Sequence, residues 1–141
     1  MNLVRTLRVL IVLEISLMIF WTVADLYFES DLPAPLREFL AEDRERPWSA
    51  VQIGVPVLFL IALVTAWVGL WRLRPWARTL YSATTVLGFL TTPIFGPYVT
   101  HGFAQALSEA CTMVGGMTLA LIWFSSLASQ FRARPPGAEP L

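Results

Sequence analysis

The chain contains little charge, no lysine, one cysteine and one histidine. Charged residues make up 14% of its 141 residues, whereas a typical soluble domain carries about 25%. Ten arginines balance ten acidic residues, so the net charge is zero. Because there is no basic excess to neutralise phosphates, we expect no nucleic acid partner. Cys111 alone cannot form an intramolecular disulfide, and a single histidine leaves no set of zinc ligands.

Sequence motifs for nucleotide chemistry are also missing. The chain contains neither a G-x-x-x-x-G-K-[ST] phosphate-binding loop nor a G-x-G-x-x-G dinucleotide-binding motif,. We therefore expect no cofactor and no metal ion. With no evident catalytic group either, the sequence favours a protein that is not an enzyme.

What the chain has in excess is apolar sequence. Hydrophobic residues make up 56% of it, and its mean hydropathy is +0.62. Residues 47–71, 79–108 and 110–131 contain no Asp, Glu, Lys or Arg, and each run exceeds the roughly 20 residues that cross a bilayer. Because a backbone in lipid must satisfy its hydrogen bonds within the segment, we expect these spans to be helices. The sequence predicts an all-α, four-helix transmembrane bundle.

The apolar runs divide the chain into one membrane domain, residues 1–131, and a tail. The predicted spans cover about 3–26, 48–71, 76–93 and 103–127, with an outer loop at 27–47. The proline-rich tail, 132–141, is predicted to be disordered and cytoplasmic. The first span has an alternative interpretation as a cleaved secretory signal, because arginines precede an apolar run that ends in small residues. Glu14 in that run, and Phe20 and Trp21 near its end, favour a retained helix.

The arginines are distributed unequally about these spans. Seven of the ten lie at the two termini and between the second and third spans: Arg5, Arg8, Arg72, Arg74, Arg78, Arg132 and Arg134. The other three lie in the acidic outer loop. The positive-inside rule then predicts that both termini are cytoplasmic. Because all cationic residues are arginine and Ala, Leu, Pro and Gly are frequent, we interpret the source as bacterial and the location as the inner membrane.

The outer loop has a helical pattern of its own. Leu32, Leu36, Phe39 and Leu40 fall on one face of a helix,, and Asp31 can cap its start. One interpretation is a short amphipathic helix on the bilayer surface, with its apolar face towards the lipid. The other is a docking surface for a partner protein.

Polar residues inside the apolar spans are the candidate functional residues, because burying each carboxylate in a membrane costs several kcal/mol. Two intramembrane charges, Glu14 and Glu109, qualify by this argument, and Asp25, His101 and Gln105 complete the candidate polar site. His101, Gln105 and Glu109 follow at helical spacing, which predicts a stripe that faces the bundle interior or water. These residues fit a proton-titrating or cation-binding site, hydrogen bonding between helices, or contact with a partner. The sequence leaves these alternatives open.

Three arginines and two tryptophans cluster between the second and third spans. Arg72, Arg74 and Arg78, beside Trp71 and Trp76, form a candidate contact for an anionic lipid headgroup,. The same residues are also explained as a topology signal in a tight cytoplasmic turn.

Three functions follow from these features. The one we favour is an accessory or interaction subunit of a membrane complex, because the loops are short and the outer loop is the only sizeable surface outside the membrane. Its partner would be another membrane protein or a second copy. The alternative is a proton- or cation-coupled transporter of a small solute that uses the intramembrane carboxylates. A membrane enzyme acting on lipid would depend on His101 and Glu109.

Overall fold

The structure, a computed structural model, describes residues 2–45, 47, 49–92 and 99–131. Within those ranges every regular element is helical, which confirms the predicted all-α class. The five α-helices are α1, Leu3–Tyr27; α2, Ala34–Glu45; α3, Ala50–Trp71; α4, Pro75–Thr91; and α5, Gly102–Phe124. Short 3-10 helices, Phe28–Asp31 and Ser126–Phe131, follow α1 and α5. The predicted tail, 132–141, lies outside the described residues.

Three of these helices are long and apolar enough to cross a membrane: α1 with its 3-10 extension, α3 and α5. The helix α4 is shorter, at 17 residues. Large apolar side chains lie on the outside of the molecule; Phe20 is 64% exposed, and Leu58 and Leu90 are each 67% exposed. So much exposed apolar surface is unfavourable in water. The helices and this surface therefore point to a multi-pass membrane protein.

Local signals in the sequence explain where the helices begin. Asn2 caps α1 by accepting from the backbone N–H groups of Val4 and Arg5. Ser49 and Gln52 form a capping box at the start of α3, so two backbone donors are satisfied reciprocally. Pro75 stands in the first turn of α4, where its missing N–H is not needed.

The helices pack as two pairs, α1 with α5 and α3 with α4. We call the base of the molecule the end at which α1 and α4 begin and α3 and α5 end. The pairs meet at the base in a buried cluster of Leu7, Ile11, Ala66, Trp67, Leu70, Ala77, Tyr81, Ile122, Leu127 and Phe131. Beyond this cluster the pairs make few contacts with each other, which leaves a cleft between them.

The turn between α3 and α4 is tight because Gly69 lets the two helices approach closely. A Cβ atom at this position would lie 2.6 Å from Ala77 Cβ and 2.7 Å from Trp76 Cη2. The turn closes through Leu73, whose φ is 54°, and through a 2.8 Å hydrogen bond from the Arg74 N–H to the Gly69 carbonyl. This is the left-handed geometry that commonly ends a helix.

The predicted helix in the outer loop is present as α2. An ion pair between Arg44 and Glu29, with an N–O distance of 2.6 Å, connects it to the 3-10 helix after α1. The Arg44 side chain is 61% exposed, so this pair adds at most about 1 kcal/mol.

Candidate functional site

Glu14 lies in the middle of α1 and is almost fully buried, with 7% of its surface exposed. Its partner is Tyr81 of α4, whose hydroxyl group donates to Glu14 Oε1 at 2.8 Å and is 2.9 Å from Oε2. Both helices begin at the base, so residues a few turns along each lie at comparable depth. The two side chains therefore connect the α1–α5 pair to the α3–α4 pair at the end of the cleft nearest the base. We call this the inner end of the cleft.

Neighbouring residues hold this pair in place. Gly115 of α5 supplies the space, because a Cβ atom there would lie 3.3 Å from the Tyr81 hydroxyl oxygen and 3.5 Å from Glu14 Oε1. The Cys111 thiol lies 3.6 Å from the backbone carbonyl oxygen of Glu14. The indole N–H of Trp67 is also buried, and it has no hydrogen-bond partner among the described residues.

The cleft that begins at Glu14 has a volume of about 500 Å³ and is open on one side. Small residues line it on two facing walls. The α4 wall contains Thr84, Thr85, Gly88 and Thr92, and the α5 wall contains Ser108, Thr112, Gly115 and Gly116. Larger apolar side chains, among them Phe59, Leu63 and Phe89, complete the lining.

Most polar groups of the walls are already satisfied within their own helices. Thr84, Thr85 and Thr112 each donate to the carbonyl group four residues earlier, at 2.8–3.0 Å, as threonines in helices often do. The indole N–H of Trp21 is different, because it is buried and has no hydrogen-bond partner among the described residues. The cleft is therefore a largely apolar space with Glu14 at one end and one unused donor from Trp21.

Asp25 and His101, two of the predicted site residues, lie at the other end of α1 and not in the cleft. Thr100 donates a hydrogen bond to Asp25, and the His101 ring stacks on Phe28 with centroids 5.0 Å apart. His101 Nδ1 also accepts from the Phe103 N–H at 3.2 Å, which makes His101 the N-cap of α5. These contacts join the end of α1 to the start of α5.

Gln105 and Glu109 lie on an exposed face of α5. The Gln105 side-chain amide donates to Glu109 Oε1 at 3.1 Å, so the pair is satisfied along one helix. The stripe was predicted to face the bundle interior or water, and Gln105 and Glu109 lie on the surface of the isolated chain. His101 and Glu109 are eight residues apart, which corresponds to about 12 Å along the helix. The structure does not bring them together as an acid–base pair.

The three arginines proposed as a lipid contact also separate. Arg78 faces inwards, and its Nη1 donates to the carbonyl groups of Ile122 and Ala128 at 3.4 and 3.3 Å. Its guanidinium group also lies over the Trp123 ring, 4.7 Å from the centroid. Arg78 therefore fixes the end of α5, whereas Arg72 and Arg74 are exposed.

Glu14 was predicted from the sequence, with Trp21 on the same face of its helix, whereas Tyr81 and the cleft itself were not. A signal for Tyr81 was present, since a tyrosine within an apolar span needs a partner for its hydroxyl group. Nothing in one sequence showed which helix would supply that partner. Among the described residues, no group of three His, Cys, Asp or Glu side chains lies close enough to hold a metal ion.

We compared the chain with models of known protein families, with characterised proteins and with solved structures, and none matches. Its class is defined by the helices described above, which are those of a multi-pass membrane protein. Within this class, the cleft with Glu14 at its inner end is the best candidate functional site.

Proposed function

We propose that the protein is a four-span accessory subunit of a membrane complex, and that its cleft receives a transmembrane helix of a partner protein. The partner helix would lie between α4 and α5 and complete the packing of the two helix pairs. The observation that carries the proposal is the pair of facing walls built from small residues. Small residues at a helix surface let another backbone approach closely, which is how helices associate in lipid.

The fourth span of the proposal is α4. Its 17 residues extend about 25 Å, which is at the lower limit for crossing a bilayer. It packs along α3, a helix that is itself long and apolar enough to span.

The base carries five arginines, Arg5, Arg8, Arg72, Arg74 and Arg78, so the positive-inside rule supports a cytoplasmic base in a bacterial inner membrane. The helix α2 then lies on the opposite surface.

Glu109 gives independent support for a partner. It is exposed on α5 about two turns from the start of that helix, where it would meet lipid in the isolated chain. A carboxylate facing acyl chains is unfavourable by several kcal/mol, even with the Gln105 amide beside it. Glu109 does not line the cleft, but it follows Ser108, which does, so a partner protein seated there can bring a polar group to Glu109 and remove part of this cost. The unused Trp21 N–H in the cleft is a second position where a partner can form a hydrogen bond.

Substitution of Gly116 by leucine tests the proposal by filling the cleft. A Cβ atom at Gly116 meets nothing within 4 Å, so the larger side chain enters the empty space without disturbing the fold. We expect Gly116→Leu to abolish a heteromeric complex that the wild type forms. The measurement is native mass spectrometry of the protein extracted gently from its own membrane.

Gly54 provides the matched control, because its Cβ also meets nothing within 4 Å and it does not line the cleft. Gly54→Leu should leave the complex intact. A wild-type protein that is only a monomer would contradict the proposal. If the wild type forms a homodimer and Gly116→Leu abolishes it while Gly54→Leu does not, the occupant of the cleft is a second copy of the chain.

A second function, proton- or cation-coupled transport of a small solute, is favoured by one observation. Glu14 and Tyr81 lie at the inner end of an open cleft, where a titratable carboxyl group can meet a solute. We expect Glu14→Gln to abolish solute-dependent dissipation of a pH gradient in proteoliposomes, measured with a trapped pH-sensitive dye and a panel of small amines. Glu109→Gln, outside the cleft, should retain it. Equal fluxes for wild type and Glu14→Gln would exclude this function.

A further inference from the structure

A second groove lies on the outside of α1, away from the cleft. It has a volume of about 370 Å³ and is lined by Arg5, Arg8, Val9, Val12, Leu13, Ser16 and Trp71. We propose that this groove binds one anionic glycerophospholipid, with its phosphate on the two arginines and an acyl chain along α1. The proposal does not depend on the function of the cleft.

The basic end of the groove lies at the start of α1. Arg5 and Arg8 are three residues apart, so they project from the same face of the helix, and both are exposed. Arg44 and Glu29 form the only ion pair within residues 2–45, 47, 49–92 and 99–131, so neither groove arginine is paired with a described carboxylate. Two uncompensated guanidinium groups at a membrane surface attract anionic lipid.

Trp71, at the end of α3, forms the side wall at this level. The Arg8 guanidinium carbon lies 5.3 Å from the Trp71 ring centroid, so the ring holds Arg8 at the edge of the groove through a cation–π contact. Tryptophan is also enriched at the headgroup level of membrane proteins. The arginines and the ring thus lie where a phosphate group would be.

The other end of the groove is apolar. Val9, Val12 and Leu13 continue along α1 towards the middle of the membrane and are exposed. Ser16 adds no free donor, because its hydroxyl group donates to the Val12 carbonyl at 2.8 Å. From Arg5 to Ser16 the helix rises about 16 Å, a length that suits an acyl chain. Charge at one end and apolar surface at the other match a phospholipid and not a free phosphate ion.

The charge of the groove is tested by titrating the delipidated full chain in detergent with dioleoyl phosphatidylglycerol, dioleoyl phosphatidylcholine or inorganic phosphate. Binding is measured by native mass spectrometry. We expect the anionic lipid to bind preferentially, and Arg5→Gln/Arg8→Gln to weaken it by roughly ten- to thirty-fold, at about 1 kcal/mol per arginine. The control Arg72→Gln/Arg74→Gln removes the same charge from the same end of the molecule but outside the groove, so it should weaken binding much less than Arg5→Gln/Arg8→Gln does. The proposal would be overturned if the two double variants lost equal affinity for phosphatidylglycerol, or if the wild type showed no preference for the anionic lipid.

The apolar half is tested separately by Leu13→Trp, which keeps both arginines and fills the groove. We expect it to weaken phosphatidylglycerol binding, whereas Ile19→Trp, on the same helix but outside the groove, should not. Unchanged binding to the Leu13→Trp protein would show that no acyl chain lies there. If inorganic phosphate displaces phosphatidylglycerol at a concentration equal to that of the lipid, the arginines bind a simple anion. That result would overturn the lipid site.

Discussion

Replacement of Gly69 by alanine is expected to lower the free energy of unfolding by about 1–3 kcal/mol, and replacement by leucine to prevent assembly of the α3–α4 hairpin. The reason is the 2.6 Å distance between a Cβ atom at this position and Ala77 Cβ. The Trp76 ring is 48% exposed and can turn away, but the Ala77 methyl group is fixed to the backbone of α4. The helices must therefore move apart, and the buried cluster at the base would loosen with them.

Gly54 provides the control for this prediction because it is in the same helix with no atom within 4 Å of its Cβ position. Gly54→Ala should leave stability unchanged or raise it slightly, since alanine favours the helix. The measurement is reversible unfolding in mixed micelles, followed by circular dichroism. Equal stabilities for Gly69→Ala and Gly54→Ala would contradict the close approach of α3 and α4.

The positions of the helices were predictable because uncharged runs and caps determine them. The first predicted span, about 3–26, corresponds to α1 at Leu3–Tyr27, and the second, about 48–71, to α3 at Ala50–Trp71. Prediction was less complete for the third span, about 76–93. Its helix α4 ends at Thr91, and residues 93–98 lie outside the described part of the chain.

The candidate site was predictable only in part. Helical spacing shows which residues share a face, but it does not show which neighbour that face meets. Glu14 and Tyr81 are 67 residues apart in the chain, so their contact depends on the packing of the two helix pairs. For the same reason, Asp25, His101 and Glu109 could not be separated from Glu14 by sequence alone. Each is a polar residue in or beside an apolar span, so the sequence treats them alike. Only the fold shows that they lie in different places.

The arginines illustrate how one turn of helix changes a residue's role. Arg72 and Arg74 precede α4 and remain exposed, whereas Arg78 lies within it and faces the end of α5. In the sequence the three form one group, because they share their charge and lie within seven residues of one another. The position of Pro75, which starts α4, was the available signal that Arg78 belongs to the helix.

Substitution of Tyr81 by phenylalanine is expected to destabilise the protein by about 1–3 kcal/mol, because Glu14 then stays buried without its donor. The Glu14→Leu variant removes the acceptor and should cost a comparable amount, since it leaves the tyrosine hydroxyl group unpaired. The double variant replaces both polar groups with apolar ones. Its loss of unfolding free energy should be smaller than the sum of the losses in the two single variants by about 0.5–3 kcal/mol.

Tyr27 supplies the matched control for this double-mutant cycle. The residue is 74% exposed, so Tyr27→Phe should change the free energy of unfolding by less than about 0.5 kcal/mol. Additive losses in the Glu14 and Tyr81 cycle would mean that the two side chains do not interact in the folded protein.

The coupling also bears on the cleft, because Glu14 and Tyr81 are the polar link between the helix pairs at its inner end. If that link is broken and the pairs separate, partner binding should weaken in the Tyr81→Phe protein although the walls of the cleft are unchanged.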